Sequence, residues 1–76
     1  TTVIVDPPRP GLHRNTVKNL IKLSPKKIIY VSCNPATMAR DIEILISENY
    51  SIKDLQPIDM FPHTPHIECV TTLILN

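Results

Sequence analysis

The sequence predicts an α/β fold in which the elements follow the order strand, helix, strand, helix, strand, strand. Short runs of β-branched and apolar residues alternate with segments whose apolar residues recur at helical spacing. Prolines interrupt the chain between several of these segments. The chain has 76 residues, 42% of them hydrophobic and 20% charged, which indicates one globular domain at most.

A proline-rich loop separates the first strand from the first helix. The strand is predicted at Thr2–Val5, a β-branched run that ends at Asp6 because the prolines that follow cannot donate to a ladder. The loop continues through Gly11, the single glycine of the chain. A helix is predicted from about His13 to Leu23, ended by the Ser-Pro pair that follows it. Its apolar residues at helical spacing are Val17, Leu20 and Ile21.

The second strand and the second helix meet at a cysteine. Lys27–Ser32 is nearly all apolar, which is typical of a strand buried on both faces of a parallel sheet. Asn34 suits the N-cap of the next helix, and Pro35 suits its first position. That helix is expected to run to about Asn49. Its predicted buried stripe consists of Met38, Ile42, Leu45 and Ile46.

Two further strands complete the predicted sheet, Tyr50–Asp59 and His66–Leu75. The first three strands should be parallel, because strand–helix–strand connections are right-handed crossovers. The connection before the last strand is short, so the last strand should be antiparallel to the third.

This topology brings polar residues that are far apart in sequence to one edge of the sheet. Asp6 and Cys33 follow the first two strands, and Asp59 ends the third. His66 and Glu68 begin the antiparallel fourth strand, so they start at that same edge. Open α/β sheets bind their ligands at the carboxyl ends of the parallel strands, and the sequence therefore predicts a site there.

The residue types alone leave two interpretations open for each candidate. Cys33 precedes a helix N-terminus, whose partial positive charge favours a thiolate, but free cysteines are often structural and buried. Glu68 is a charge in an otherwise apolar strand, which is costly unless it is used or paired, for example with Arg9 or Arg40. Asp6 either points into the cleft or initiates a turn before proline.

Metal and disulfide chemistry are disfavoured by the spacing of the cysteines and histidines. Cys69 follows Glu68 and should face the other side of its strand, where it fills the core. His63, His66 and a cysteine shortly after them lack the paired ligand spacing of a structural zinc site. Cys33 and Cys69 show no disulfide-framework pattern, which favours a reducing, cytoplasmic setting.

Charge and hydropathy exclude other classes. The formal net charge is +1, so the chain has no basic field that could hold nucleic acid alone. No apolar segment approaches the ~18 residues of a membrane span.

Three motifs in this order carry a resemblance to a known family. They are DPPRPG at residues 6–11, IIYVSCNPAT at residues 28–37 and IDMFPHTPHIE at residues 58–68. Together they resemble the RNA 5-methyluridine methyltransferases, which use S-adenosylmethionine to methylate carbon 5 of uridine in tRNA or rRNA. The implied fold is the C-terminal half of a Rossmann-like class I methyltransferase sheet.

The resemblance implies a role for each matched residue. Cys33 would be the nucleophile that attacks carbon 6 of uracil, and Glu68 would be the base that removes the carbon-5 proton. Asp6 would contact the cofactor or the target base. Arg9 and Asn34 would shape the cleft, and His66 would orient Glu68 or the base.

Sibling families fit less well, and part of the expected domain is missing. RNA 5-methylcytosine enzymes usually have a cysteine where this chain has Pro8, and adenine amino-methyltransferases usually have an aromatic residue where it has Arg9. Because Gly11 is the single glycine, the glycine-rich cofactor loop of such enzymes cannot lie within these residues. The isolated chain is therefore expected to be inactive.

Two further functional hypotheses and one interaction stay open at this point. A cysteine hydrolase would use Cys33 with His66, and a non-catalytic interaction module would need neither. The first strand would normally pair with the missing half of the sheet. Its open edge is therefore expected to pair with another copy of the chain.

Overall fold

The computed structural model describes residues 1–58 and 68–76, and these residues form two helices and four strands. The predicted element order is confirmed. The predicted end of the third strand at Asp59 and the predicted start of the fourth at His66 lie outside the described residues. The elements in chain order are β1 (Thr2–Val5), α1 (Arg14–Leu23), β2 (Lys27–Ser32), α2 (Pro35–Ser47), β3 (Tyr50–Ile58) and β4 (Glu68–Leu75).

The four strands form one sheet in the order β1-β2-β4-β3. β1 pairs with β2 in parallel, and β4 is antiparallel to both β2 and β3. The first three strands therefore run in the same direction, as predicted, and the last is antiparallel to the third. β1 lies at one edge of the sheet, and pairing between copies through that edge stays a prediction.

Helix α1 begins and ends at residues whose side chains bond to its own backbone. His13 is the N-cap rather than the first helical residue, and its ring Nδ1 accepts a hydrogen bond from the Asn15 amide at 3.1 Å. The helix ends at Ser24, which has a left-handed φ of 52°. Its amide donates to the Leu20 and Ile21 carbonyls, which would otherwise lack partners at the helix end.

Helix α2 differs from its predicted boundaries and buried stripe. It ends at Ser47 rather than near Asn49. The predicted burial of Ile46 is wrong, because its side chain is 46% exposed. The carboxylate of Asp41, 1% exposed, lies on the buried face instead. The predicted residues that are buried are Met38, Ile42 and Leu45.

Both helices contribute to one core on one face of the sheet. Burial alternates along β2, so Ile28 and Tyr30 are fully buried whereas Ile29 and Val31 are half-buried. The expectation that this strand is buried on both faces is therefore wrong for the part of the chain that the structure describes. The buried core consists of Leu20, Ile28, Tyr30, Met38, Ile42, Leu45, Tyr50, Cys69 and Leu73.

No helix among the described residues is long and apolar enough to cross a membrane. Within the same residues, no group of three or more His, Cys, Asp or Glu side chains is arranged to hold a metal ion.

Candidate functional site at the carboxyl edge

The strands bring Asp6, Cys33 and Glu68 to the same edge of the sheet. Asp6 follows the last residue of β1, and Cys33 follows the last residue of β2. Glu68 is the first residue of the antiparallel β4. The parallel register pairs Val5 with Tyr30, so one step further it sets Asp6 beside the end of β2.

The ladder between β2 and β4 brings Cys33 and Glu68 to the same edge. Its last pair joins Ser32 with Cys69, so Cys33 follows that pair on one strand and Glu68 precedes it on the other. Cys33 is exposed and Glu68 is half-buried, so both residues lie at an accessible edge.

The backbone around Cys33 is closed by the side chain of the residue before it. The Ser32 hydroxyl accepts a hydrogen bond from the Asn34 amide at 2.9 Å and donates to the Asn34 carbonyl at 3.0 Å. Ser32 itself is buried, 4% exposed. Both bonds span Cys33, so the backbone on either side of it is held by a buried hydroxyl.

Asn34 joins the start of α2 to the loop after β1. Its side-chain oxygen accepts from the amides of Ala36 at 3.1 Å and Thr37 at 3.5 Å, which confirms the predicted N-cap. Its side-chain nitrogen donates to the Arg9 carbonyl at 3.1 Å. The same residue thus begins the helix beside Cys33 and anchors the proline-rich loop.

The loop after β1 is held by its backbone, which leaves the candidate side chains accessible. The Gly11 amide donates to the Pro8 carbonyl at 2.8 Å, and the Arg9 carbonyl also accepts from the Thr37 hydroxyl at 3.0 Å. The side chains of Asp6 and Arg9 are exposed. The loop therefore carries an exposed carboxylate and an exposed guanidinium beside the carboxyl edge.

Asp41 is a buried charged residue that sequence reasoning missed. One of its oxygens accepts hydrogen bonds from the Leu12 amide at 2.8 Å and the Tyr30 hydroxyl at 2.5 Å. Its other oxygen faces the Arg40 guanidinium at 3.3 Å. The signal was present, because residue 41 falls at helical spacing between the buried positions of Met38 and Leu45.

Burial and the Asp41 carboxylate both raise the pKa of Tyr30 above its ordinary value. Burial is the larger cause, because an ionised phenolate would lose its hydration. The hydrogen bond to Asp41 and the negative charge of that carboxylate act in the same direction. Tyr30 therefore stays a hydrogen-bond donor throughout the physiological pH range.

The pairing proposed as an alternative role for Glu68 is not found with Arg40. Within residues 1–58 and 68–76, the ion pair present is the one between Arg40 and Asp41. Arg40 also donates to the Pro10 carbonyl at 2.8 Å. Its guanidinium is thus committed to the loop and to α2.

The remaining candidates fall into two groups. Cys33 is exposed, which contradicts the buried structural alternative, and Cys69 is a buried core residue as predicted. His63 and His66 lie outside the described residues, as does any contact that His66 makes with Glu68 or Cys33.

A groove of about 1080 Å³ lies between α1 and α2, away from these candidates. Its apolar lining includes Leu12, Val17 and Ile44, whereas none of Asp6, Cys33 and Glu68 lines it. The groove is therefore distinct from the carboxyl-edge site.

Comparison with known proteins relates these residues to one family. The sequence model of the family "tRNA (Uracil-5-)-methyltransferase" matches residues 1–75. An uncharacterized RNA methyltransferase of Enterococcus faecalis is 56% identical over 71 residues, which are 93% of this chain and 16% of that protein. One from Bacteroides thetaiotaomicron is 52% identical over 74 residues, which are 97% of this chain and 16% of that protein.

A solved structure shares the fold and the sequence. The Pyrococcus abyssi tRNA (uracil-54, C5)-methyltransferase, crystallised with S-adenosyl-L-homocysteine, superimposes with a TM-score of 0.85 at 55% identity. The match covers 96% of this chain and 18% of the archaeal one. The α/β class and the resemblance drawn from the three motifs are thereby confirmed. The present chain belongs to the tRNA (uracil-5-)-methyltransferase family.

Proposed function

We propose that this chain forms the C-terminal part of the catalytic domain of an S-adenosylmethionine-dependent enzyme that methylates carbon 5 of a uridine in tRNA or rRNA. The chain spans about 16% of the length of the curated relatives it matches, so the activity is that of a larger protein. Family membership and the archaeal neighbour support tRNA as the first substrate to test.

One observation carries this proposal: Cys33 and Glu68 flank the last pair of the β2–β4 ladder, Ser32 and Cys69, at the same edge. Methylation of uracil at carbon 5 needs a nucleophile on one ring carbon and a base at the neighbouring one. Carbons 5 and 6 of the ring are bonded neighbours, so the two protein groups must also be neighbours. Adjacent strand positions at an accessible edge meet that requirement.

Cys33 starts the reaction as a thiolate that adds to carbon 6 of the target uracil. A carbon–sulfur bond forms, and the electron pair of the double bond between carbons 5 and 6 moves onto the carbonyl at carbon 4. The resulting enolate makes carbon 5 nucleophilic, which the free ring is not. Covalent catalysis thus replaces one difficult step with easier ones.

Glu68 completes the reaction as a general base. After carbon 5 has gained its methyl group, the Glu68 carboxylate accepts the proton from that carbon. The electron pair of the broken bond restores the double bond, and the Cys33 thiolate leaves carbon 6. The enzyme returns to its starting state once Glu68 has released its proton.

The cofactor implied by the family supplies an electrophilic methyl group when it is bound. The polar groups of this chain fit a share of such a site, because Asp6 offers an exposed carboxylate at the carboxyl edge and can accept hydrogen bonds from the cofactor or the base. We assign Arg9 and Asn34 to shaping the cleft and His66 to orienting Glu68 or the base. We expect the isolated 76 residues to bind the cofactor poorly and to be inactive.

The target base must leave its stack to reach Cys33, because a stacked ring exposes neither face to a thiolate. The test therefore mixes the full-length protein with a tRNA transcript containing 5-fluorouridine, in the presence of S-adenosylmethionine. Fluorine at carbon 5 cannot be removed as a proton, so the methylated adduct is trapped. Denaturing gels and peptide mass spectrometry then locate the bond, which we expect at Cys33.

A matched variant separates the nucleophile from the other cysteine. Cys69→Ala should retain adduct formation in any variant preparation that folds, because Cys69 is buried and on the other side of β4. Cys33→Ala should form no adduct. A folded, cofactor-bound protein that traps neither tRNA nor rRNA would favour a non-catalytic interaction module instead.

A further inference from the structure

We propose that Asp41 is a positioning residue that holds the loop after β1 and the Cys33 end of β2 in one fixed arrangement. The inference rests on the proposed function, in which Asp6 and Cys33 act on the same substrate. Asp41 touches neither of them. It acts through the backbone of the loop and through the strand that carries the nucleophile.

The carboxylate of Asp41 joins three elements that the chain brings together from separate places. Its Oδ2 atom accepts from the Leu12 amide, at the end of the loop, and from the hydroxyl of Tyr30, in β2 ahead of Cys33. Its Oδ1 atom faces Arg40, its neighbour in α2. All three contacts are made by a side chain that is 1% exposed.

A carboxylate is a costly way to fill this position if stability is its only role. Burying a charge is unfavourable unless every lone pair is matched, and apolar replacements of buried ion pairs are often neutral or stabilising. Ile42 and Leu45 show that α2 packs well with apolar side chains on this face. What an apolar residue could not do is set the direction of the Leu12 amide and the Tyr30 hydroxyl together.

The same face of α2 fastens the loop at two more points. Asn34 and Thr37 both donate to the Arg9 carbonyl, and Arg40 donates to the Pro10 carbonyl. The helix thus acts as a template for the loop backbone. Asp41 makes the one contact of this set that also reaches β2 among the described residues.

Gly11 lies so close to α2 that a side chain there would meet those of Arg40 and Asp41. Its φ is +88°, which L side chains rarely adopt. A Cβ atom there would lie 2.6 Å from Nη2 of Arg40 and 2.8 Å from Oδ2 of Asp41. The glycine in the DPPRPG motif is therefore explained by the close approach of the loop to the Arg40–Asp41 pair.

The substitution Asp41→Asn tests the arrangement because an amide cannot replace both oxygens. If its oxygen faces Leu12 and Tyr30, its NH₂ group points at the Arg40 donors. If it is turned over, the NH₂ group faces the Leu12 amide, which can only donate. Either orientation sets donor against donor, at Arg40 or at Leu12, so the hold of α2 on the loop should weaken while the helix keeps a residue of the same size.

The experiment measures the single-turnover rate of adduct formation with 5-fluorouridine tRNA in the full-length protein. We expect Tyr30→Phe to slow the reaction about tenfold and Asp41→Asn about 100-fold, because small misplacements of reacting groups have effects of this order. The KM for tRNA should change by less than about threefold, since the hydrogen bond between Tyr30 and Asp41 is internal to the protein and does not bind RNA. The double variant should be no slower than Asp41→Asn alone, because both changes act on the same hydrogen-bond network.

Tyr50→Phe is the matched control for Tyr30→Phe. Tyr50 is 2% exposed, and its hydroxyl donates to the Pro25 carbonyl at 2.6 Å, at the opposite edge of the sheet. Glu43→Gln serves the same purpose for Asp41→Asn, because Glu43 is an exposed carboxylate on the same helix. Both controls should keep the wild-type rate.

Equal rates for Tyr30→Phe and Tyr50→Phe would overturn the inference, as would multiplying effects in the double variant. A wild-type protein that forms no adduct would count against the proposed function instead. In that case, the rate of hydrogen exchange at the Leu12 amide tests the anchoring role of Asp41 independently of the reaction. Faster exchange at Leu12 in Asp41→Asn, with unchanged exchange in β3, supports the anchoring role, and equal exchange in both proteins contradicts it.

Discussion

The two edges of the sheet each hold a buried tyrosine, and the two hydroxyl groups have different kinds of partner. At the amino edge, Tyr50 donates to the backbone carbonyl of Pro25 at 2.6 Å. Towards the carboxyl edge, the hydroxyl of Tyr30 donates to the carboxylate of Asp41 at 2.5 Å. The first bond joins a side chain to one backbone carbonyl, whereas the second belongs to a polar network that also reaches the loop after β1.

The difference teaches how one small fold separates the bonds that tie its backbone from those that hold the proposed site. The amino edge is tied by backbone pairs such as Leu75 to Lys26 at 2.9 Å and Asn76 to Asn49 at 2.8 Å. These bonds join the end of β4 to the turns that precede β2 and β3. The carboxyl edge instead uses buried side chains to hold loops whose own side chains remain accessible. Substitutions at the two edges should therefore change different quantities.

The largest expected effect comes from substituting Cys33, which should lower the methylation rate and leave the stability of the fold nearly unchanged. Cys33→Ala in the full-length protein should lower the methylation rate by at least about 10³-fold, because no other group can form the covalent intermediate. The free energy of unfolding should change by less than about 0.5 kcal/mol, since the side chain is exposed. Methylation of tRNA with a labelled cofactor and urea denaturation measure the two quantities. A Cys33→Ala variant that retains its methylation rate would contradict the proposed nucleophilic role of Cys33.

Glu68→Gln should block the reaction at a later step. The amide cannot accept the carbon-5 proton, so we expect turnover to fall by about 10²–10⁴-fold. A methylated adduct should accumulate with ordinary uridine tRNA, because elimination waits for that proton. Gels under denaturing conditions detect this adduct. Rapid release of unmethylated tRNA, without an adduct, would indicate that Glu68 acts before methyl transfer.

Gly11→Ala should destabilise the protein, whereas replacing Asn49 with glycine at the amino edge should not. The alanine Cβ would clash with the Arg40–Asp41 pair at a positive φ, and we expect a loss of about 1–3 kcal/mol. Asn49 also has a positive φ, 74°, but it follows the end of a helix, where glycine is favoured. Asn49→Gly should therefore leave the free energy of unfolding unchanged or raise it by about 0.3 kcal/mol. Thermal unfolding of both variants in parallel tests the contrast. Equal effects would show that the loop adapts to a side chain.

The sequence predicted the elements of this fold well because their signals are local. The apolar spacing of α1, the capping Asn34 and the prolines around the first loop depend only on neighbouring residues. The antiparallel direction of β4 followed from a short connection. The position of β4 between β2 and β3 did not, because strand order depends on contacts between residues far apart in sequence.

Sequence reasoning named the residues at the end of the strands and missed the ones that support them. Cys33 was noticed because it precedes a helix N-terminus, and Glu68 because it is a charge in an otherwise apolar strand. Asp41 was not, because an acidic residue on a helix is normally solvated, and only the fold shows that it faces Tyr30 and Leu12. Ile46 was assigned to the core by spacing alone, whereas the helix is rotated so that Asp41 takes the inward place.

The smallest expected effect is the loss of stability at alkaline pH, and it should also differ between the two tyrosines. Burial raises the pKa of both side chains, and the Asp41 carboxylate raises that of Tyr30 further. Unfolded tyrosine ionises near pH 10. Since the folded pKa is higher, unfolding releases a proton above about pH 10, and stability falls as pH rises from there towards the folded pKa.

Replacing each tyrosine with phenylalanine removes its share of that pH dependence. Between about pH 9 and pH 11, the free energy of unfolding of Tyr30→Phe should decline less steeply than that of the wild type, by up to about 1.4 kcal/mol per pH unit. Tyr50→Phe should show a smaller difference, because no carboxylate bonds to its hydroxyl among the described residues. Urea denaturation at several pH values measures both slopes. A larger change for Tyr50→Phe would mean that burial alone, and not the charged partner at the carboxyl edge, governs the alkaline behaviour of this fold.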